Sequence, residues 1–459
     1  MDTAATAPVR KASRRAVGSW LLFDWATQPF FTLVTTFVFA PYFAARVAAN
    51  PVEGQALWGY ATAAAGLVIA VFSPMLGAVA DAMGARKPWI AGFSVMLCAG
   101  SFALWFAAPG VESAVTIALV AFAIATIGAE FATVFTNAMM PDLVDENRLG
   151  RLSGTGWAVG YVGGLISLII VLGLFAGDAA SGKTLLGLTP VFGFEAQRFE
   201  GDRASGPLTA IWYVVFVLPL FLFTPDVPRR SNLSTALRTG LRDLRETFAS
   251  LRRHANAFRY LIANMIYTDG MVALTVFGGI YAAGTFGWSL TELGLFGILL
   301  IIFGTIGALV GGRLDDSRGP KWVVQVTLIM LIVAIIGILS IDESHVAFFI
   351  PVAPPAPGDG LFASAGEKAY LVLGVLIGLA VGPLQAASRS LLCRVSPRER
   401  MTQFFGLYAL TGKATSFVGP FLVGLVTTVS ASQRIGISVL VIFFAAGLIM
   451  MQSVSAERD

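Results

Sequence analysis

Long runs of apolar residues follow one another along the whole chain, separated by short polar segments. A bilayer core of about 30 Å is crossed by roughly 20 residues of helix. Twelve runs have roughly this length: 19–44, 56–80, 88–108, 113–138, 152–177, 208–223, 257–284, 289–311, 321–341, 367–392, 401–429 and 433–452. They are continuous and unlike the alternating segments of a membrane β-barrel. The pattern predicts an all-α membrane protein with twelve transmembrane helices.

The composition agrees with a chain that is mostly surrounded by lipid. Of its 459 residues, 56% are hydrophobic and 13% are charged, and the mean hydropathy is +0.77. Soluble domains carry about 25% charged residues. Cys98 and Cys393 lie far apart in or beside apolar runs, which favours packing roles over a disulfide or a zinc site. With two histidines, His254 and His345, outside the runs, the sequence predicts neither a metal site nor a cofactor.

Most basic residues fall on one side of the predicted membrane. That side holds 24 of the 31 lysines and arginines: residues 10, 11, 14, 15, 86, 87, 148, 151, the arginines between 229 and 259, and residues 313, 318, 321, 389, 394, 398, 400 and 458. Cytoplasmic loops carry such an excess. We therefore expect both termini and the middle loop to be cytoplasmic. Ser13, Arg14 and Arg15 resemble a twin-arginine signal, but the run after them is long enough to be an uncleaved first helix.

A polar middle segment divides the chain into two halves. The predicted organisation is a cytoplasmic tail at 1–18, a six-helix bundle at 19–224, a cytoplasmic linker at 225–256, a second six-helix bundle at 257–452 and a tail at 453–459. Within the linker, apolar residues recur at helical spacing with arginines between them: Leu237, Leu241, Leu244, Phe248 and Leu251. This pattern predicts an amphipathic helix on the anionic inner membrane surface. A calmodulin-like target is the alternative.

Two internal repeats link the halves. GAVADAMGAR at 77–86 and GRLDDSRGPK at 312–321 share the pattern G-x3-D-x2-G-x-[RK], each between two apolar runs. Arg148, Gly154 and Gly160 recur as Arg400, Gly406 and Gly412 at one constant offset. Parallel repeats of this kind suit a fold whose halves rock about a central site.

The repeated turn resembles the signature loop of the major facilitator superfamily, with Ala85 standing where many members have a basic residue. Three further blocks resemble the vacuole-effluxer-like branch of that superfamily: WLLFDWATQPFFTLVTTFVFAPYF at 20–43, YTDGMVALTVFGGIYA at 267–282, and QAASRSLL with FFGLYALTGKATSFVGP within 385–420. The resemblance implies two pseudo-symmetric six-helix bundles and a transporter. Yeast relatives are associated with efflux of amino acids from the vacuole. The Ala-, Gly- and Arg-rich style suggests a bacterium, and hence its cytoplasmic (inner) membrane.

Ionisable residues inside the runs are the first candidates for the transport pathway. A charge in a span costs about 2.5 to 3.5 kcal/mol on insertion scales. In the superfamily, helices one, four, seven and ten commonly line the cavity, which would gather Asp24, Glu130, Asp269 and Gln385. The expected pathway consists of Asp24, Gln28, Glu130, Asp269, Gln385 and Lys413. Carboxylates there would carry protons and Lys413 would attract an anionic group; structural ion pairs, Asp269 with Lys413 above all, are the alternative.

The repeated turns give a second set of candidates. The expected cytoplasmic gate consists of Asp81, Gly84, Arg86, Asp316, Gly319 and Lys321. The two carboxylates, just past helix ends, could cap a neighbouring helix N-terminus or pair with the basic residue of the turn. Alternatively the turns serve topology alone.

The sequence thus favours a secondary transporter of a small polar solute, most plausibly an amino acid or peptide-like metabolite, by alternating access with proton-coupled export or exchange. No Walker motif is present, so we expect no direct use of ATP. The expected partners are the solute, protons and the bilayer, with no nucleic acid, for a monomer. A lipid or lysolipid flippase that binds phosphate through Lys413 is the alternative within transport. A scaffold or receptor would not need midplane charges, and the loops lack the residue sets of an enzyme.

Overall fold

The computed structural model describes residues 12–179, 181–249, 254–288, 290–342, 344–353 and 360–456. In these residues, twelve helices are long and apolar enough to cross a membrane, which confirms the predicted fold class. They are α1 Arg14–Val47, α2 Glu53–Met83, α3 Lys87–Phe106, α4 Ala114–Asn137, α5 Glu146–Phe175, α6 Glu200–Phe223, α7 Ala255–Phe286, α8 Glu292–Arg318, α9 Pro320–Leu339, α10 Ala365–Val395, α11 Arg398–Ser430 and α12 Gln433–Gln452.

Two of the cavity-lining helices are interrupted. In α1, the α-helix Arg14–Pro29 passes into a π-helix at Phe30–Phe37 directly after Pro29. In α11, the α-helix Met401–Ala414 is separated from Val418–Ser430 by a non-helical turn. The predicted run at 401–429 treats this region as one helix, although Lys413, Thr415 and Ser416 make it locally polar. A half-helix end inside a membrane leaves backbone groups that must find partners or a ligand.

Local sequence sets several helix ends. Ser364 caps α10 through a capping box with Glu367. Gly84, which follows α2, has φ of 93°, and Gly319, which precedes α9, has φ of 87°. Such positive φ values favour glycine, which explains why both copies of the repeated turn keep it. The end of the molecule with these two turns is called the basic face below.

Each half consists of six helices, and the halves meet along two interfaces at the basic face. In one, α2 packs on α11, where a Cβ on Gly77 would lie 2.4 Å from the carbonyl oxygen of Thr402. In the other, α5 packs on α8, where a Cβ on Gly154 would lie 2.3 Å from the carbonyl oxygen of Ala308. Backbones this close leave no passage for a solute, so the structure is closed at the basic face.

Smaller elements complete the fold. The α9–α10 loop holds a hairpin of β1 (His345–Val346) and β2 (Ile350–Pro351), paired antiparallel. The surface helix, Leu233–Ala249, lies in the linker at the basic face. Its Ala236 is fully buried on α2, whereas Leu237 and Leu241 are 43% and 41% exposed. A large part of each leucine thus faces away from the protein.

Candidate functional site

A cavity of about 620 Å³ lies between the two halves. Helices of both halves line it, including the first, fourth, seventh and tenth. Of the residues expected along the pathway, Asp24, Gln28, Glu130 and Gln385 lie in its wall. Its lining extends from Arg389 near the basic face to Phe37 and Gly297 toward the opposite face.

The first charged contact across the cavity joins Asp24 of α1 to Arg389 of α10. Their side chains lie 3.2 Å apart and are 17% and 5% exposed. Arg389 also donates to the Asn137 side chain at 3.1 Å and to the Ser153 backbone oxygen at 2.8 Å. One guanidinium of the second half therefore holds three helices of the first half at the end of the cavity nearer the basic face.

Arg389 is one of the basic residues counted toward the cytoplasmic side, but it does not lie in a loop. The residue is only 4% exposed and lies more than a turn inside α10, which continues to Val395. A basic residue within the predicted run 367–392 was a usable signal. Its charge fits the asymmetry between the two membrane sides equally well, which conceals the buried position.

A second ion pair joins the two halves between α4 and α11. The Lys413 Nζ lies 2.7 Å from a Glu130 carboxylate oxygen, with the side chains 32% and 21% exposed. Glu130 precedes Asn137 by two turns of α4, or about 10 Å along the helix axis. The two ion pairs thus lie at different depths. Lys413 is not among the described residues that line the cavity, but its ammonium reaches Glu130, which is.

Asp269 does not take part in either pair. It is 4% exposed, is absent from the cavity lining given by the described residues, and accepts a hydrogen bond from Thr415 Oγ1 at 3.1 Å. The expected pairing with Lys413 is therefore wrong, because the α11 break turns Lys413 toward Glu130 and presents Thr415 to α7. Asp269 satisfies a polar group at the break and does not line this cavity.

Two buried polar atoms in the cavity wall have no hydrogen-bond partner in the described structure. They are the indole Nε1 of Trp157 on α5 and the side-chain oxygen of Asn264 on α7. An unpaired buried polar atom costs about 1 to 3 kcal/mol. Both atoms are shielded from the cavity itself, so this state leaves an unpaired donor on one half and an unpaired acceptor on the other. Neither residue is ionisable, so a charge within a span does not mark either of them in the sequence.

At the α2–α11 interface, Asp81 binds the start of the α-helical part of α11. Its carboxylate accepts hydrogen bonds from the backbone N–H groups of Thr402, at 3.1 Å, and Gln403, at 2.8 Å. Arg86 reaches across the same interface to the Thr402 hydroxyl at 3.1 Å and also contacts Asp142. Asp81 was expected just past the end of its helix. It lies instead in the last turn of α2, which ends at Met83.

The second copy of the turn makes the equivalent contact with α5. Asp316 accepts from the Arg151 backbone N–H at 3.1 Å and lies 3.4 Å from the Arg151 side chain. It too lies within its helix, since α8 ends at Arg318. Lys321 does not pair with Asp316. Its ammonium donates to the Val454 backbone oxygen at 2.7 Å, after the end of α12.

The neighbouring Asp315 is a contact that the sequence did not reveal. It is 1% exposed, lies 3.0 Å from Arg394 and accepts from Ser390. Ala80 occupies the corresponding position of the first repeat, so the pattern shared by both repeats could not mark Asp315. The two interfaces therefore share their capping carboxylates but differ in their buried charges.

Relatives of the chain are found at the level of sequence and of fold. Residues 44–459 match the family described as "Vacuole effluxer Atg22 like". The Bacillus subtilis (strain 168) protein "Uncharacterized MFS-type transporter YxiO" is 25% identical over 449 residues, which are 96% of this chain and 95% of that protein. "Autophagy-related protein 22" of Cryptococcus neoformans var. neoformans serotype D (strain JEC21 / ATCC MYA-565) is 26% identical over 326 residues, or 68% of this chain and 52% of that protein. The match thus spans about half the length of this fungal relative.

Solved structures of the major facilitator superfamily share the fold. The transporter FucP in its outward conformation has a TM-score of 0.70 at 14% identity, covering 96% of this chain and 98% of that one. The proton:xylose symporter XylE has a TM-score of 0.67 at 15% identity, covering 96% and 94%. At identities this low, the similarity shows a shared fold and nothing more. From its sequence match and its twelve spans, the chain belongs to the Atg22-like vacuole effluxer family of the major facilitator superfamily, a family of transporters.

Proposed function

We propose that the protein is a secondary active transporter that exports or exchanges a small polar solute, an amino acid or a peptide-like metabolite, by alternating access. Two ion pairs, Asp24–Arg389 and Glu130–Lys413, carry the proposal, because each joins a carboxylate in the cavity wall to a cation of the other half. A zwitterion offers a carboxylate to a cation and an ammonium to a carboxylate, so it can replace contacts that hold the halves together. The family description, vacuole effluxer, supports export.

Proton coupling is the second part of the proposal. Glu130 and Asp24 replace Asp269 as the proton carriers, because they line the cavity and their partners belong to the other half. Protonation removes a carboxylate's charge and weakens its ion pair, which frees the halves to move. A solute and a proton would then act on the same two contacts.

The paired charges of the two halves favour this solute class over a lysolipid. A flippase that captured a phosphate with Lys413 would need that cation available, but Glu130 lies 2.7 Å from it. The cavity wall also contains polar residues of both halves, among them Gln28, Thr133, Thr275 and Gln385. Polar groups at several depths support a small polar solute.

The orientation is also proposed: the basic face is cytoplasmic, in a bacterial inner membrane. The charge asymmetry and the Bacillus relative support this placement. Reporter fusions to the two termini and to the linker test it. A reporter that is active on the outside at any of the three sites contradicts the orientation.

Transport is tested with purified protein in proteoliposomes, using a panel of labelled amino acids, dipeptides and lysolipids, with and without an imposed pH gradient. We expect uptake of one or more zwitterionic solutes above empty vesicles, increased by the gradient. Glu130→Gln should lose accumulation driven by the gradient and keep exchange of solute, which needs no net proton movement. Transport of lysolipids alone would contradict the proposed solute class. Gradient-driven accumulation by Glu130→Gln would contradict its role as a proton carrier.

A further inference from the structure

The surface helix is fixed to the end of α2. Gly240 lies so close to α2 that a Cβ would be 2.7 Å from the carbonyl oxygen of Ala78. Just before the helix, Ser231 Oγ donates to the Ala82 backbone oxygen at 2.9 Å and the Arg230 N–H donates to the Met83 oxygen at 2.8 Å. The small residues Ala236 and Gly240 allow this approach, so the helix moves with α2.

The same helix also contacts the second half. Arg400 of α11 donates a hydrogen bond to the hydroxyl of Thr247, which is fully buried. Arg400 directly precedes the α-helical part of α11, whose first N–H groups bind Asp81. The surface helix therefore bridges α2 and α11 at one of the two interfaces that close the basic face. Opening that interface would break the contact with Arg400.

A different stripe of the helix faces away from the protein. Leu233, Leu237 and Leu241, one turn apart, are 50%, 43% and 41% exposed. Arg238 and Arg245 are exposed as well. The two acidic residues of the helix, Asp243 and Glu246, both lie 3.7 Å from Arg242. Arg238 and Arg245 are therefore the arginines of the helix that remain for a partner of opposite charge.

We propose that the surface helix binds anionic phospholipid and that this binding stabilises the state closed at the basic face. Leucines beside arginines match a lipid's chemistry, since acyl chains cover the leucines and the phosphate pairs with guanidinium groups. The position of the helix, at the end of a spanning helix, places both groups at the membrane boundary. A ligand that binds one state better than the other shifts the equilibrium toward that state. Here the closed state is favoured because only it holds the helix against both α2 and Arg400.

The state of the basic face can be measured without a transported solute. Asn147 and Glu399 are exposed on opposite halves, next to the Glu146–Arg398 ion pair, which lies at 2.9 Å. Spin labels are placed at Asn147→Cys and Glu399→Cys in a background that carries Cys98→Ser and Cys393→Ala. The distance between the labels reports the separation of the two halves at the basic face. The distance distribution is compared in vesicles of phosphatidylcholine alone and of phosphatidylcholine with phosphatidylglycerol. We expect phosphatidylglycerol to increase the short-distance population several-fold.

Two variants and a matched control decide the role of the helix. Arg238→Gln with Arg245→Gln should abolish the response to phosphatidylglycerol, and Leu237→Ser with Leu241→Ser should weaken it. Arg313→Gln with Arg318→Gln removes two exposed charges from the same face, away from the helix, and should keep the response. The proposal is overturned if the labelled parent protein does not respond, or if the Arg238/Arg245 variant responds as the parent does. Either result is independent of whether a solute is found.

Discussion

Lys413 lies 2.7 Å from Glu130 and in the last turn of the first α-helical segment of α11, so two features of the fold stabilise its charge. The carboxylate comes from the other half of the molecule. The carbonyl groups at the end of that segment come from its own helix, where a cation is favoured. Because this segment ends at the break in α11, Lys413 connects the interruption of one helix with the contact between the halves.

Lys413→Ala is expected to destabilise the protein by about 1 to 3 kcal/mol, because it leaves the Glu130 charge partly buried without its partner. Lys413→Ala with Glu130→Gln should recover much of that loss, since neither charge then remains unpaired. Thermal unfolding in detergent measures the single and double variants. Arg198→Ala, which breaks an ion pair whose side chains are 68% and 59% exposed, is the control and should leave unfolding unchanged. A double variant as unstable as the sum of both singles would contradict the pairing.

Arg389→Lys is expected to lower transport at least tenfold although it keeps the charge. A guanidinium reaches Asp24, Asn137 and Ser153 together, and a single ammonium lacks the planar fork that makes these contacts at once. The initial transport rate per folded protein in proteoliposomes is the measurement. If the lysine variant transports normally, the contacts of the fork are dispensable and only the positive charge matters.

Asp81→Asn is expected to impair transport and to leave the amount of folded protein near normal. The variant loses the charged cap of α11, worth about 1 kcal/mol, at a contact that exists when the basic face is closed. Label distances across the basic face should shift toward the open state. Asp316→Asn tests the equivalent cap of α5 in the same way. Unchanged distances and transport in both variants would reduce the repeated turns to a role in topology.

Gly77→Ala is expected to hinder closure of the basic face, because its Cβ would meet the Thr402 carbonyl oxygen at 2.4 Å. Gly66→Ala on the same helix is the matched control, since a Cβ there meets nothing within 4 Å. The effect is measured with a cysteine introduced into the cavity. Its labelling by thiol reagents is compared between the two sides of the membrane. Equal accessibility in both variants would show that α2 and α11 can separate slightly without changing the state.

Asp269→Asn is expected to keep gradient-driven accumulation, because the asparagine oxygen can still accept from Thr415 and the residue lies outside the cavity lining. Asp269→Ala and Thr415→Val should each lower thermal stability, because each leaves a buried polar group unpaired. Flux measurements and thermal unfolding separate the two effects. Loss of proton-driven accumulation in Asp269→Asn alone would return this residue to the proton pathway.

The twelve helices could be predicted because each must be apolar over most of its length to cross the membrane. The evidence for each span is therefore contained in its own sequence. The ion pairs between the two halves leave no comparable pattern in the sequence. The partners Asp24 and Arg389 lie 365 positions apart, and only the packed helices bring them together. The break after Ala414 falls among polar and small residues, Thr411 to Ser416, with Gly419 and Pro420 close behind. The high hydropathy of the whole run concealed this local signal.

The internal repeats predicted contacts at the two closed interfaces better than contacts in the cavity. The constant offset between Gly154 and Gly406 reflects equal contacts, since a Cβ on either would lie 2.3 Å from a backbone oxygen of the other half. Residues present in one half only had no such signal. Asp315 is an example, since its counterpart in the first half is Ala80.

The glycines of the closed interfaces have a consequence for the balance between conformations. Where backbones touch through Gly77, Gly154 and Gly406, little side-chain surface lies between the helices. Hydration of apolar surface costs about 25 cal/mol per Å². Separation of these helices therefore wets little hydrocarbon, while the carbonyl groups that become exposed gain water as a hydrogen-bond partner. We expect the closed and open forms to differ by only a few kcal/mol, within reach of one proton or one bound solute.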